Sequence, residues 1–189
     1  MKHFFHTIGF VYLINHDISE ELIQQAQMKA LAFFEQSQDA KLQCLSRDRA
    51  KRGYSPLLTE NFACLAGNKA PNDLVEKFRI GPLLQSSNDD EYYTSKEGRS
   101  HFFPNTWPPE QQDGVLNGFE NTMKHYYEAM ESLVGRLISV FEFALELDQG
   151  YFSENMKKHT SILSLNYYPP LHGLNVCKGQ RRVAAHTDV

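Results

Sequence analysis

The sequence has few cysteines and no apolar run long enough to cross a membrane. Its three cysteines, Cys44, Cys64 and Cys177, are far apart and odd in number. This argues against a disulfide framework or a cysteine-rich zinc site and favours a reducing compartment. No stretch approaches the roughly 20 apolar residues that span a bilayer, and the first residues do not resemble a signal peptide. We therefore expect a cytoplasmic protein without a membrane partner.

The charge is nearly balanced, and no basic stripe stands out. The 19 Lys and Arg residues against 23 Asp and Glu give a net charge of −4. A nucleic-acid partner is therefore not expected. With 41% hydrophobic and 22% charged residues over 189 positions, the composition is that of a globular protein with a sizeable core.

Motifs of several common enzyme classes are also missing. The sequence contains no Gly-x-x-x-x-Gly-Lys phosphate loop, no Gly-x-Gly-x-x-Gly and no His-Glu-x-x-His. It also has no Gly-x-Ser-x-Gly and no Cys-x-x-Cys. Its chemistry must therefore be sought in a different arrangement of residues.

Hydrophobic periodicity predicts a mixture of helices and strands. Residues 8–14 are β-branched and aromatic and predict a buried strand. A helical apolar face extends to about residue 37, and Asp17 or Ser19 could cap that helix. Short strands are expected around Gly53-Tyr54 and over residues 74–80. The strongest helix is expected from about 114 to 147, which corresponds to roughly 50 Å.

Two strands are predicted near the end of the sequence, over residues 162–168 and 182–189. On the second of these strands His186 and Asp188 share a face, about 7 Å apart along the backbone. A 2-His-1-carboxylate site for non-haem Fe(II) needs such a pair and one more His. A His-x-Asp tripeptide alone is weak evidence, because most such pairs are solvated surface residues.

The earlier of these strands carries Asn166 and Tyr168 on one face. An amide and a phenol can donate hydrogen bonds to a ligand that bears a carboxylate. The alternative is structural: Asn166 caps a turn, and Tyr168 packs with its hydroxyl at the surface.

The whole chain resembles the isopenicillin N synthase-like group of Fe(II)/2-oxoglutarate oxygenases. The matching segments, in family order, are Gly9-Phe10-Val11-Tyr12-Leu13-Ile14-Asn15-His16, Arg52-Gly53-Tyr54, Asp73-Leu74-Val75-Glu76-Lys77-Phe78, Asn105-Thr106-Trp107-Pro108, Gly118-Phe119, Asn166-Tyr167-Tyr168-Pro169-Pro170 and Ala185-His186-Thr187-Asp188. The resemblance implies that His186 and Asp188 bind iron and that Asn166 and Tyr168 contact 2-oxoglutarate.

The resemblance also implies an α+β fold, in which an N-terminal helical layer with a long scaffold helix packs on a partial double-stranded β-helix (jelly-roll) barrel. We expect an N-terminal oxygenase region over residues 1–110, the long helix over 111–158 and the first barrel strands over 159–189. The implied reaction uses O2, Fe(II) and 2-oxoglutarate to hydroxylate or desaturate a small organic substrate.

The sequence departs from the family pattern in three respects. The short strand that usually precedes the Gly9-Phe10 segment is missing, since Met1 lies only eight residues before Gly9. Asp17 replaces a usual glycine, although Asp tolerates left-handed geometry better than most residues. The family's distal His and Arg-x-Ser are absent from these 189 residues, and His159 and His172 are more simply exposed or capping residues. We therefore expect the chain as given to be inactive and poorly stable. The alternative is a non-catalytic truncated isoform, a fragment or an interaction module.

Overall fold

The computed structural model describes residues 6–65, 67–83, 91–110 and 114–186. The chain divides into two compact units, each made of two stretches of sequence. The first unit comprises Met1–Met28 and Gly118–His159, and the second comprises Lys29–Asn117 and Thr160–Val189. Helix α1 (Glu20–Phe34) runs through the boundary at Lys29. No helix in the described ranges is both long and apolar enough to cross a membrane.

The long helix α6 (Phe119–Ala144) dominates the first unit. Its 26 residues correspond to about 39 Å, so it is shorter than the sequence predicted. It begins after Gly118, which has a left-handed φ of 72°, and Glu146 just beyond its end also has a positive φ of 58°. Left-handed residues cannot continue a right-handed helix, which explains both limits.

Two side chains of α6 hold neighbouring segments of this unit in place. The Glu142 carboxylate accepts hydrogen bonds from the backbone N–H groups of Gly150, Phe152 and Ser153, at 3.0, 2.7 and 2.9 Å. These donors, with that of Gly150 contributing most, lower the pKa of Glu142. Arg136 forms an ion pair with Asp17, whose positive φ of 61° agrees with the expected tolerance of Asp at this turn.

The predicted strand over residues 8–14 is wrong. This segment forms no strand with any described residue, and every residue in it except the half-buried Val11 is exposed, including Phe10 at 63% and Tyr12 at 90%. A β-strand is stable only when a neighbour satisfies its backbone groups, and local sequence preference cannot supply that neighbour.

The second unit contains a three-stranded antiparallel sheet in the order β1–β2–β3. Its elements are α2 (Gln38–Leu42), β1 (Gly53–Ser55), α3 (Phe62–Leu65), β2 (Glu76–Ile80), α4 (Glu91–Thr94), α5 (Lys96–His101) and β3 (Leu163–Tyr167). The predictions of strands near 53–54, 74–80 and 162–168 are therefore confirmed. The strand predicted over 182–189 is wrong for residues 182–186, and residues 187–189 lie outside the described part.

One face of this sheet forms the core of the unit. Tyr54 and Phe78 lie opposite each other on β1 and β2 and are fully buried. The ring of Phe33, at the end of α1, packs edge-on against both, with centroids 5.7 and 4.8 Å away. Phe34 stacks on Tyr167 of β3 at 5.0 Å. These aromatic contacts join the end of α1 to all three strands.

A buried charged network lies within the same core. The Glu76 carboxylate accepts a hydrogen bond from Lys41 Nζ at 2.6 Å and another from the Tyr54 hydroxyl. Lys41 Nζ also donates to the carbonyl of Phe34 at 3.2 Å. Burial and the nearby Glu76 carboxylate raise the pKa of Tyr54, so its phenol stays protonated and donates. Lys41 and Glu76 are both more than nine-tenths buried.

We predict that Lys41→Met strongly destabilises the protein, because the Glu76 carboxylate would stay buried without its cation. The expected loss in free energy of unfolding is about 3–5 kcal/mol. The matched control is Lys157→Met, which removes an exposed pair with Glu154 and should cost less than about 1 kcal/mol. Urea unfolding of both variants measures the difference. The Lys41→Met, Glu76→Gln double variant should recover part of the lost stability. Equal losses in Lys41→Met and Lys157→Met would contradict the prediction.

Candidate functional site

The other face of the three-stranded sheet is polar. Residues directly opposite each other in antiparallel strands point to the same side. Lys77 on β2 lies opposite Ser55 on β1 and Asn166 on β3, so the three form one row across the sheet. In the next row Arg79 lies opposite Ser164. Asn166, a predicted co-substrate contact, therefore stands beside a basic residue.

A buried carboxylate organises the charges on this polar face. Glu60 accepts hydrogen bonds from Arg79 Nη2 at 3.0 Å and Lys51 Nζ at 3.1 Å. Arg79 Nη1 also donates to the Ser55 hydroxyl at 2.9 Å. Burial alone would raise the pKa of Glu60, but Arg79 and Lys51 together hold it below its usual value. Glu60 is therefore ionised at neutral pH and neutralises part of the surrounding positive charge.

A second buried carboxylate, that of Asp73, holds the segment that precedes His186. Asp73 is 1% exposed. Its Oδ1 accepts from the backbone N–H of Ala184 at 2.8 Å, and its Oδ2 accepts from that of Phe62 at 2.7 Å. The neighbouring Leu74 N–H donates to the carbonyl of Arg181 at 2.9 Å. Residues 181–184 are thus attached to the residues just before β2, although they form no strand. The Asp73 carboxylate takes the place of the backbone hydrogen bonds that a paired strand would have made.

His186 is fixed by its ring contacts. Its centroid lies 4.5 Å from that of Phe62, with a tilt of 40°. Its Nδ1 lies 2.8 Å from the carbonyl oxygen of Ala184. Since a carbonyl only accepts, neutral His186 carries its proton on Nδ1 and its lone pair on Nε2, a tautomer that can bind a metal. On the same Phe62 ring, Lys77 Nζ lies 4.2 Å from the centroid.

The structure connects two of the four predicted site residues through this contact. Asn166 lies beside Lys77 in the sheet. Lys77 and His186 both contact the Phe62 ring. Tyr168 lies just beyond β3, is 41% exposed, and its carbonyl accepts a hydrogen bond from Arg182 at 3.3 Å. The fourth residue, Asp188, lies outside the described residues.

Sequence reasoning did not identify Phe62, Asp73 or Lys77 as site residues. Asp73 and Lys77 lie in a segment that matches the family, but nothing local shows that they approach His186. The alternation Glu76-Lys77-Phe78-Arg79 did contain a signal. With strand periodicity it places two basic side chains on the face opposite the core.

Residues 1–110 match the family described as non-haem dioxygenase in morphine synthesis N-terminal, which is more than half of the 189 residues. The chain belongs to the 2-oxoglutarate/Fe(II)-dependent oxygenase family. The sequence-based recognition of that family is therefore confirmed, and the mixed helix and sheet composition agrees with it.

Similar proteins come from fungi and plants. The oxygenase is 31% identical over 183 residues to proline hydroxylase buaE of Petromyces alliaceus, covering 96% of this chain and 52% of the relative. It is 29% identical over 165 residues to gibberellin 20 oxidase 1 of Arabidopsis thaliana, covering 86% and 38%. The solved structure of full-length Neurospora crassa T7H in complex with alpha-KG superimposes with a TM-score of 0.74 at 26% identity, covering 98% and 53%. The chain spans about half the length of the fungal relative and of this structural neighbour.

Fe(II) and 2-oxoglutarate are the cofactors of this family. Within residues 6–65, 67–83, 91–110 and 114–186, no group of three His, Cys, Asp or Glu side chains could hold a metal ion. His186 fits one position of a facial iron site through its neutral tautomer. The described residues do not complete such a site.

We predict that Asp73→Asn loosens the segment before His186. Both partners of Asp73 are backbone donors, and an asparagine has only one acceptor oxygen, so its NH2 group would face an N–H. We expect a loss of about 1–3 kcal/mol in free energy of unfolding and faster amide hydrogen exchange at Ala184 and Phe62.

The matched control is Asp39→Asn, which changes an exposed carboxylate in the first turn of α2. It should leave amide exchange at Ala184 unchanged. Unaltered exchange at both amides in Asp73→Asn would show that this carboxylate does not hold the segment.

Proposed function

We propose that the full-length protein oxidises a small organic molecule, by hydroxylation or desaturation, with Fe(II), O2 and 2-oxoglutarate. The main support is the placement of His186 on the Phe62 ring, next to the polar sheet face that carries Asn166. Relatives over most of this chain are 2-oxoglutarate-dependent oxygenases, and solved neighbours include T7H in complex with alpha-KG and thymine. A small-molecule substrate agrees with these neighbours.

In this proposal His186 and Asp188 are two of the iron ligands, and a further His supplies the third. When bound, Fe(II) would supply the O2-activating chemistry, in which one oxygen atom converts 2-oxoglutarate to succinate and CO2 and the other is used to oxidise the substrate. The Asn166 amide and the Tyr168 hydroxyl donate hydrogen bonds to 2-oxoglutarate and orient it. The Asp73 carboxylate keeps the His186 segment in place through Ala184.

We further propose that the three-stranded sheet and the segment carrying His186 are parts of a jelly-roll barrel. The TM-score of 0.74 to a 2-oxoglutarate-binding protein supports this architecture. The division at residues 110 and 158 and a cytoplasmic location stay predictions. The 189 residues by themselves should not turn over 2-oxoglutarate, because they contain no Arg-x-Ser and their described part holds no three-donor group.

We predict that His186→Ala and Asp188→Ala abolish succinate formation in the full-length protein. Each removes one donor to the metal, so Fe(II) affinity should fall by more than about 100-fold, the upper range for loss of a single outer-shell partner. Fe(II) titration and succinate release measure the two effects. His172→Ala, at an exposed position, is the control and should retain both. Normal turnover in His186→Ala would refute the iron assignment.

We predict that Asn166→Asp weakens 2-oxoglutarate binding in the full-length protein by at least about tenfold. The change removes an amide donor and adds a negative charge next to a carboxylate ligand. Titration of the Fe(II)-loaded protein with 2-oxoglutarate measures the dissociation constant. Asn155→Asp, in an exposed turn, adds the same charge elsewhere and should have no effect. An unchanged dissociation constant in Asn166→Asp would remove this residue from the co-substrate site.

A further inference from the structure

Lys77 is a buried cation without a carboxylate of its own. It is 8% exposed, and its ammonium lies over the Phe62 ring. Among the residues that the structure describes, its Nζ forms no hydrogen bond and no ion pair. The nearest carboxylates are already engaged: Glu60 pairs with Lys51 and Arg79, and Asp73 accepts the N–H groups of Phe62 and Ala184. Lys77 Nζ is not one of the fully buried polar atoms that lack a partner, so the ammonium keeps some access to solvent and to a ligand.

A comparison of two lysines on opposite sides of β2 shows how unusual the environment of Lys77 is. Lys41 belongs to helix α2 and lies on the core side of β2. It is buried to a similar degree and pairs with Glu76 at 2.6 Å. Lys77, on the polar side, has no such partner within the described part of the chain. Burial lowers its pKa, and the positive charges of Arg79 and Lys51 lower it further, while Glu60 and Asp73 oppose them only in part. Buried charges are normally paired, so an unpaired one marks a candidate binding site.

The charges around Lys77 would be balanced by one more negative group. Among the described residues, the charges that act on Lys77 are those of Arg79, Lys51, Glu60 and Asp73. Together with Lys77 itself they leave one net positive charge. A phosphate dianion would exceed that charge and is bound more often by forked arginine contacts. A carboxylate matches it, and the Asn166 side chain in the same row could add an amide donor.

We infer that Lys77 binds a carboxylate of the organic substrate, so that the substrates of this oxygenase are small organic acids. This inference rests on the proposed function, because it places the substrate beside the iron ligand His186. Lys77 and His186 both contact the Phe62 ring, so the two side chains belong to one cluster. The ammonium would fix one end of the acid and direct the rest of the molecule toward the metal. Lys77 is thus a residue that determines substrate class.

The test uses the full-length, Fe(II)-loaded protein and acetate as the simplest carboxylate probe. Acetamide, which has nearly the same shape and no charge, is the matched neutral probe, with ionic strength held constant by chloride. Thermal unfolding is followed for the wild type, Lys77→Met and Lys69→Met. Lys69 is exposed, so this control removes the same charge from the surface.

Acetate should stabilise the wild type and Lys69→Met more than acetamide does. In Lys77→Met the apparent acetate affinity should fall by at least about tenfold. Without any probe, Lys77→Met should be at least as stable as the wild type, because an uncompensated buried charge is gone. Equal acetate effects in all three proteins would overturn the inference. So would a loss of stability in Lys77→Met as large as that in Lys41→Met, since Lys77 would then be structural.

A second titration, with 2-oxoglutarate, identifies the source of the carboxylate. Lys77→Met should bind 2-oxoglutarate as tightly as the wild type if Lys77 serves the substrate. A tenfold weaker dissociation constant would assign Lys77 to the co-substrate and overturn the substrate assignment. Failure of the proposed function would be seen separately, as a wild-type protein that forms no succinate, whatever its response to acetate.

Discussion

The buried carboxylate of Asp73 joins segments that are 111 residues apart in the sequence. One oxygen holds the start of α3 at Phe62, and the other holds Ala184, two residues before His186. Charge-assisted hydrogen bonds to backbone donors are strong and directional, so they fix positions as well as stabilise them. The stacking of Phe62 on His186 follows from this geometry, because both rings belong to segments that Asp73 anchors.

Strand β2 separates two kinds of buried charge. On its core side Glu76 is satisfied by Lys41 and Tyr54, and this network has the properties of a structural element. On its polar side Lys77 lies over Phe62, and no carboxylate in the described ranges pairs with it. The two lysines differ little in burial and greatly in pairing. That difference distinguishes a group that maintains the fold from one whose charge is available to a ligand. Groups of the second kind often lower the stability of the folded protein in exchange for function.

Local sequence patterns succeeded where the physical cause is itself local. The helices α1 and α6 and the three strands follow from periodicity. The limits of α6 do not, because left-handed backbone at Gly118 and Glu146 makes the helix shorter than its apolar pattern. Patterns failed where pairing partners decide the outcome. Residues 8–14 and 182–186 have strand-like sequences, but a strand needs a neighbour, and in the second case a side-chain carboxylate took that role.

The sequence by itself determined the family, the cofactors and the residues His186, Asp188, Asn166 and Tyr168 as candidates for the site. It could do so because seven short segments, in order along the chain, resemble that family. Only the tertiary structure placed Asp73 under Ala184 and Lys77 on the ring that His186 contacts. These relations depend on which distant segments pack together, and on which buried charges then find partners. No local pattern of apolar and polar residues encodes either outcome.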